Sequence, residues 1–475
     1  MSASRSIRGP WPRASWRAFG LVVAAAFLGG CASHSQSLVK VREALVAGKP
    51  ESAYQQFAKG KKKDQDLLYL LERGYLACEA GKYDSSNIAF EAAERRAEEL
   101  YTKSISAEVA SLAVNDLVLP YRGRPHELVM IHYYRAFNYL ALGQRDEALV
   151  EARKANQRLT ELADEKEGKR TYKNDAFMQY FTAMLYESAG EFNDAAVAYR
   201  DAYRAYEDYK TLYGVSAPPS LESDLYAALK RVGANNETAL LEELDPSLES
   251  TSALRMHANA VVFVETGFVP YLESVDITIP VFEDKDSKYR DCHDCESAYA
   301  DVLASRYGDN IYGWRQSNLK LDHVLRFAFP MMTDFPSQAG SVAVACSLET
   351  SQRPVLAQPL GAIARRSFEE KIPKVLLKTV GRALVKEFAR KAAKKEDKAL
   401  GVLVNIFGVA TEQADTRSCL FFPQNIWMAQ LELPPGKHAL EVSVRGPGGA
   451  EIERLPVTVD VPREGIGFAR IRSFR

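Results

Sequence analysis

The stretch NDLVLPYRGRPHELVMIHYYRAFNYL, residues 115–140, gathers side chains that could do chemistry. Pro120 and Pro125 bracket a loop holding Tyr121, Arg122, Gly123 and Arg124, and Glu127, His132, Tyr134 and Asn138 follow at helical spacing. A second helical stretch, EALVEARKANQRL, adds Glu151, Arg153 and Asn156. Polar groups of both signs beside a loop suit a peptide's termini or a glycan, and Arg122 and Arg153 could fork to a carboxylate. The plainer expectation is structural: Glu151 and Arg153 pair locally and the tyrosines pack between helices. His132 has no Ser or Cys that can be placed beside it, so no catalytic triad is assigned.

Two further groups qualify. DCHDCE places Cys292 and Cys295 three apart. Haem attachment needs His after the second Cys, where Glu296 stands, and a zinc site needs a second Cys-x-x-Cys that the chain lacks. A local disulfide, idle thiols in a polar loop, metal or redox chemistry and longer-range pairing all stay open. Asp415, Thr416, Arg417 and Ser418 precede a strand; Asp and Arg two apart in extended chain share a face, as a structural network or a ligand site. No Ser-His-Asp order, metal cluster, glycine-rich phosphate loop or catalytic carboxylate pair stands out. The expectation is a protein that is not an enzyme, with no cofactor and no metal.

The amino-terminal residues give an address. Arg5, Arg8, Arg13 and Arg17 precede an apolar run from Ala18 to Leu28, and the first acidic residue is Glu43. That run is about half the roughly 20 residues that span a bilayer, so residues 1–30 read as a signal peptide. Leu28-Gly29-Gly30-Cys31 resembles a bacterial lipobox. The resemblance implies that Cys31 becomes the first residue of a lipoprotein carrying palmitate-type acyl chains, several of which together exceed the marginal hold of one. Ala32 rather than Asp follows the cysteine, which implies the outer membrane, facing the periplasm.

Residues 31–475 then hold 57 Lys and Arg against 62 Asp and Glu, a formal charge of −5. Nucleic-acid binding asks for a strongly basic domain, so none is expected. The 47% hydrophobic content is that of a globular protein with real cores.

Helices must position the first cluster. Residues 38–245 are rich in Ala, Leu, Tyr, Glu and Arg, and a repeat recurs in them. Gly74, Gly81, Tyr83, Phe90 and Ala93 set a register of small crossing residue, turn glycine and packing positions. Ala136, Tyr139, Gly143, Ala148, Ala152 and Ala155 repeat it, as do Ala183, Tyr186, Gly190, Phe192, Ala195, Tyr199 and Ala202. This is the tetratricopeptide pattern, with turn glycines 62 and 47 residues apart instead of the usual 34. The expectation is an irregular α-solenoid over residues 31–256, capped near Leu221–Leu244, with a concave face for a protein partner. Residues 257–475 alternate in strand fashion between PPG, GPGG and REG turns, which predicts a β-rich, sandwich-like domain and an α+β chain overall. A basic helix at 364–400 interrupts the strands. Its stripe of Ile372, Val375, Leu376, Leu384, Val385 and Phe388 is expected to pack on the sheet with the lysines solvated, the alternative being a helix lying on an anionic membrane.

YRGRPHELVMIHYYRAFNYL with EALVEARKAN, VVFVETGFVPYLES with ITIP, and ADTRS with LELPPG together resemble a family of uncharacterised bacterial lipoproteins with amino-terminal tetratricopeptide-like helices. The resemblance covers most of residues 31–475 and implies work in the cell envelope or on peptidoglycan; it brings no activity and gives the CHDC loop no role. The functional expectation is a lipid-anchored adaptor or scaffold binding an envelope protein. The alternative is an envelope enzyme or a glycan- or small-ligand-binding module built from scattered polar residues.

Overall fold

The computed structural model describes residues 34–60, 66–102, 117, 119–164, 174–233, 240, 259–284, 319–347, 350–396 and 413–475. Cys31, Cys292 and Cys295 lie outside these residues, as does the rest of the signal segment.

Helices α1 (His34–Ser37), α2 (Val39–Val46) and α3 (Pro50–Ala58) lead into three helix pairs. These are α4 (Leu67–Glu79) with α5 (Tyr83–Thr102), α6 (Pro125–Ala141) with α7 (Arg145–Asp164), and α8 (Ala176–Ser188) with α9 (Phe192–Tyr213); α10 (Pro219–Arg231) follows. One turn serves all three pairs. Gly81, Gly143 and Gly190 sit at φ 71°, 75° and 78°, where a Cβ is penalised. The next N–H returns five residues, Lys82 to Ala77, Gln144 to Tyr139 and Glu191 to Tyr186, closing each first helix. Asp66 and Asp175 cap α4 and α8 by accepting from the N–H groups of Leu68 and Met178.

Gly74 is the small residue where α4 crosses α5. A Cβ there would lie 2.8 Å from the Phe90 ring, which is fully buried and stacks on Tyr134 at 6.1 Å. The Ser86 hydroxyl donates to the Gly74 carbonyl at 2.7 Å and accepts from Asn138 Nδ2 at 2.8 Å, tying the first pair to the second. Gly74→Val should therefore cost about 1–3 kcal/mol by overpacking, read as a lower urea midpoint. An unchanged midpoint would mean that Phe90 has room to swing away.

The β half comprises β1 (Asn259–Thr266), β2 (Tyr271–Asp284), β3 (Leu319–Thr333), β4 (Ser341–Ser347), β5 (Thr350–Gln352), β6 (Val355–Gln358), β7 (Asn425–Glu432), β8 (Gly436–Arg445), β9 (Glu451–Val461) and β10 (Ile466–Ser473). Helices α11 (Leu360–Glu369) and α12 (Ile372–Glu396) lie between β6 and β7. One sheet runs β10-β1-β7-β6, a second β5-β4-β8-β9, and β2 pairs with β3 alone. Within the first sheet β1 runs parallel to β10 and antiparallel to β7.

Period-two alternation makes β1 two-sided. Ala260, Val262 and Val264 pack with Val342, Val344, Val442 and Val459 of the second sheet. Val261 and Phe263 join the core formed by the helices. The molecule is thus layered as helices, sheet, sheet. Among the described residues the expected open concave groove is filled: the chain's own first sheet covers the inner helices α4, α6 and α8. Those helices are buried over long consecutive runs, His126–Asn138 in α6 and Ala176–Tyr186 in α8, as helices enclosed on all sides must be.

Most of the basic helix's apolar stripe faces outward instead of packing on the sheet, while Lys374 and Lys391 are solvated as expected and Ile372 and Val375 are half-buried. Leu376, Leu377, Val380, Leu384, Val385 and Phe388 of α12 are exposed, while Thr379, Arg382, Ala383 and Arg390 are buried. The slender Thr379 and Ala383 lie on the covered side, and Arg390 is held by Glu387 at 2.8 Å. Among the described residues no helix is long and apolar enough to cross a membrane.

Candidate functional site

The two polar clusters singled out in the sequence meet. The Tyr121 hydroxyl donates to Glu127 Oε2 at 2.6 Å, and that carboxylate also accepts the Arg124 N–H at 2.9 Å. Its Oε1 accepts the Cys419 N–H at 2.9 Å. Arg417 grips Asp415 with Nε and Nη2, both at 2.8 Å, and donates through Nη1 to the Leu119 carbonyl at 2.9 Å. Thr416 and Ser418 are buried beside it, and Arg122 is half-buried. This is a seam between the start of α6 and the chain entering β7. Burial, then the Glu127 charge, raises the Tyr121 phenol well above its ordinary range, so it stays a donor.

Along the same interface lies a buried charge network. The Tyr134 hydroxyl donates to Glu265 Oε2 at 3.1 Å. Arg470 of β10 bridges Glu79 at 2.7 Å and Glu265 at 3.1 Å. Arg472 donates to the Tyr75 hydroxyl at 3.0 Å and to the Gly267 carbonyl. Glu265 is raised by its complete burial, with Arg470 and then Arg472 opposing. Burial pushes the neighbouring Cys78 thiol up to about 12, which makes it unreactive. Further along, Gln358 of β6 donates to Asp175 at 2.8 Å and Gln430 of β7 to the Tyr180 hydroxyl at 3.0 Å.

Tyr121, Glu127, Tyr134 and Asn138 therefore hold packed elements together and present no open surface. Arg153 is exposed and forks onto Glu191 at 2.5 and 2.7 Å, linking the second pair to the third. The expected Glu151–Arg153 pair does not form, because residues two apart on a helix diverge.

His132 and Glu151 have a different setting. A cleft of about 400 Å³ opens between α5 and α7, with Leu128 and Ile131 of α6 among its walls. Glu94, Arg95, His132, Lys154 and Gln157 line it. His132 Nδ1 lies 2.9 Å from Glu151 Oε2; in the neutral ring Nδ1–H donates and Nε2 is left as an acceptor. Arg135 reaches Glu94 at 2.6 Å and Glu151 at 3.1 Å, and Lys154 reaches Glu94 at 3.1 Å.

Glu94, His132 and Glu151 each offer an atom within 4.8 Å of the others, a donor set that suits a divalent cation. The charges argue otherwise. The two carboxylates already face two cations, so an incoming ion would meet Arg135 and Lys154 at close range. Arg135 is buried and would have to leave. The arrangement is an ion-pair network of which Glu94, His132 and Lys154 line the cleft.

No protein-family model matches the chain, nor does any curated protein. Two solved structures share some of its shape. They are the kinesin light chain nearly identical TPR-like repeats of Podosopora anserina and a variant form of the same repeats. Both are 15% identical with a TM-score of 0.28; the variant form covers 46% of this chain and 94% of its own, the other 45% and 94%. At that distance the helical-repeat assignment rests on the shared glycine turns and crossing residues described above.

Proposed function

We propose that the protein is a scaffold of the bacterial cell envelope, anchored through lipid at Cys31 to the outer membrane and facing the periplasm. In this reading it has no catalytic role and binds envelope proteins through its outer cleft. The observation that carries it is the position of that cleft. A helical repeat ordinarily offers its concave face to partners, and here the chain's own sheet occupies that face. The cleft between α5 and α7 is an open depression with acidic and basic groups around apolar Leu128 and Ile131. Such a surface suits an extended polypeptide carrying charges of both signs. A photo-cross-linking residue at Arg95 should capture envelope proteins in cells, and Lys154→Glu should suppress the capture. The same group at Val197, exposed on α9, should capture none. Equal capture at the two positions would overturn the reading.

A second reading has its own observation. His132 is almost wholly buried, yet it lines the cleft. That placement suits a small polar ligand or glycan hydroxyl donating to Nε2. Thermal stabilisation by peptidoglycan fragments, lost in His132→Phe, would favour it.

A further inference from the structure

Helix α12 is built inside out. Leu376, Leu377, Val380, Leu384 and Phe388 recur at spacings that keep them on one side of an α-helix. All five are exposed, Leu377 to 76% and Phe388 to 70%. The opposite side, with Thr379, Arg382 and Arg390, is the buried one. A helix facing water turns its apolar stripe inward. A stripe of this size turned outward marks a contact surface.

Charge decides what the contact is. Ile372–Glu396 contains eight Lys and Arg and two Glu, a formal charge of +6, with Lys374 and Lys391 exposed. A second copy of the chain would set this charge against itself, which like-charge repulsion opposes. An anionic lipid surface satisfies both halves of the pattern: headgroups attract the lysines and acyl chains take the apolar residues. We propose that α12 lies flat on an anionic bilayer, with Leu377, Val380, Leu384 and Phe388 among the upper acyl chains. This goes beyond the scaffold reading and does not depend on lipid at Cys31, since the surface is part of the folded chain. It would give the molecule a second membrane contact and so fix its orientation.

The test is vesicle flotation of the full chain carrying Cys31→Ala, which removes any acyl anchor. Vesicles are phosphatidylcholine with or without phosphatidylglycerol. The chain should float with the anionic vesicles and stay behind with the neutral ones, and raised salt should weaken the binding. Leu377→Asp with Phe388→Asp should lower partitioning by about tenfold or more, in line with the apolar and charge contributions to interfacial binding. Both sites are exposed, so the circular dichroism spectrum should be unchanged. Lys374→Glu with Lys391→Glu should reduce binding without altering the apolar stripe. The proposal fails if the Cys31→Ala chain floats with neither vesicle, or if the aspartate variant floats as well as its parent. It also fails if sedimentation shows a dimer that the aspartate variant dissolves, since the face would then belong to a second copy. Cross-linking at Arg95 reads the scaffold proposal separately and should be indifferent to all these variants.

Discussion

Arg470→Ala should lower the unfolding free energy by about 3–5 kcal/mol, the cost of leaving buried charge without its partner. Arg470 is the main counter-charge to Glu265, whose side chain is 0% exposed. It also holds Glu79 at 2.7 Å. Removing it leaves Arg472, 3.9 Å from Glu265, as the remaining cation among the contacts described for that carboxylate. The deficit should depend on pH with a defined sign. Burial raises Glu265 above its ordinary 4.5 even with Arg470 in place, and the variant raises it further. The folded state then holds the proton more tightly than the unfolded state, so lowering the pH stabilises the variant relative to its parent. The loss should be largest at neutral pH and shrink as the pH falls toward the ordinary carboxylate value. A deficit that grows on acidification would mean that Glu265 is not the group left exposed to the change. Denaturant titrations of both proteins across this range decide the matter.

Phe263→Ala should be as damaging, about 3–5 kcal/mol for a large buried ring replaced by a cavity. Its ring meets those of Phe137, Phe177 and Phe181 edge-on at 5.6, 5.6 and 5.5 Å and Tyr133 at 6.4 Å. Four rings from α6 and α8 thus close around one residue of β1. Because the core is common to both halves, helical and aromatic circular dichroism should fall at one shifted denaturant concentration. If the helices persist after the sheet has melted, the two halves are separate folding units.

The repeats were legible because their signals are local. A glycine at positive φ, a small residue at a crossing and an alanine against its neighbour each mark their own place, and Gly74, Gly81, Gly143 and Gly190 all do so. Alternation foretold most of the strands, though not the short β6 (Val355–Gln358). What covers the inner helices was harder to read, since it depends on contacts between residues more than a hundred positions apart. Two hints were present. His126–Asn138 is apolar or aromatic on almost every side, which argues for a helix enclosed all round. Arg470 and Arg472 stand two apart in an otherwise apolar strand and so share one face, and Glu265 is the lone carboxylate of β1. The cleft had no such signature, being assembled from α5, α6 and α7. Periodicity found the stripe on α12 but could not say which way it turns.

The parallel pairing of β1 with β10 has a consequence for how the molecule comes to be folded. Asn259 aligns with Ile466, so the pair closes only after everything between them has been made and brought round. Contacts of such sequence separation slow folding, because the loop entropy is lost before the pairing compensates it. Until β10 arrives, the Phe181 ring lacks the Phe468 ring set against it and Glu265 lacks both of its arginines. The helical pairs, made of near neighbours in sequence, have no such delay. The chain should therefore pass through a stage with its repeats formed and their inner faces incompletely covered, and at that stage it has most need of a chaperone.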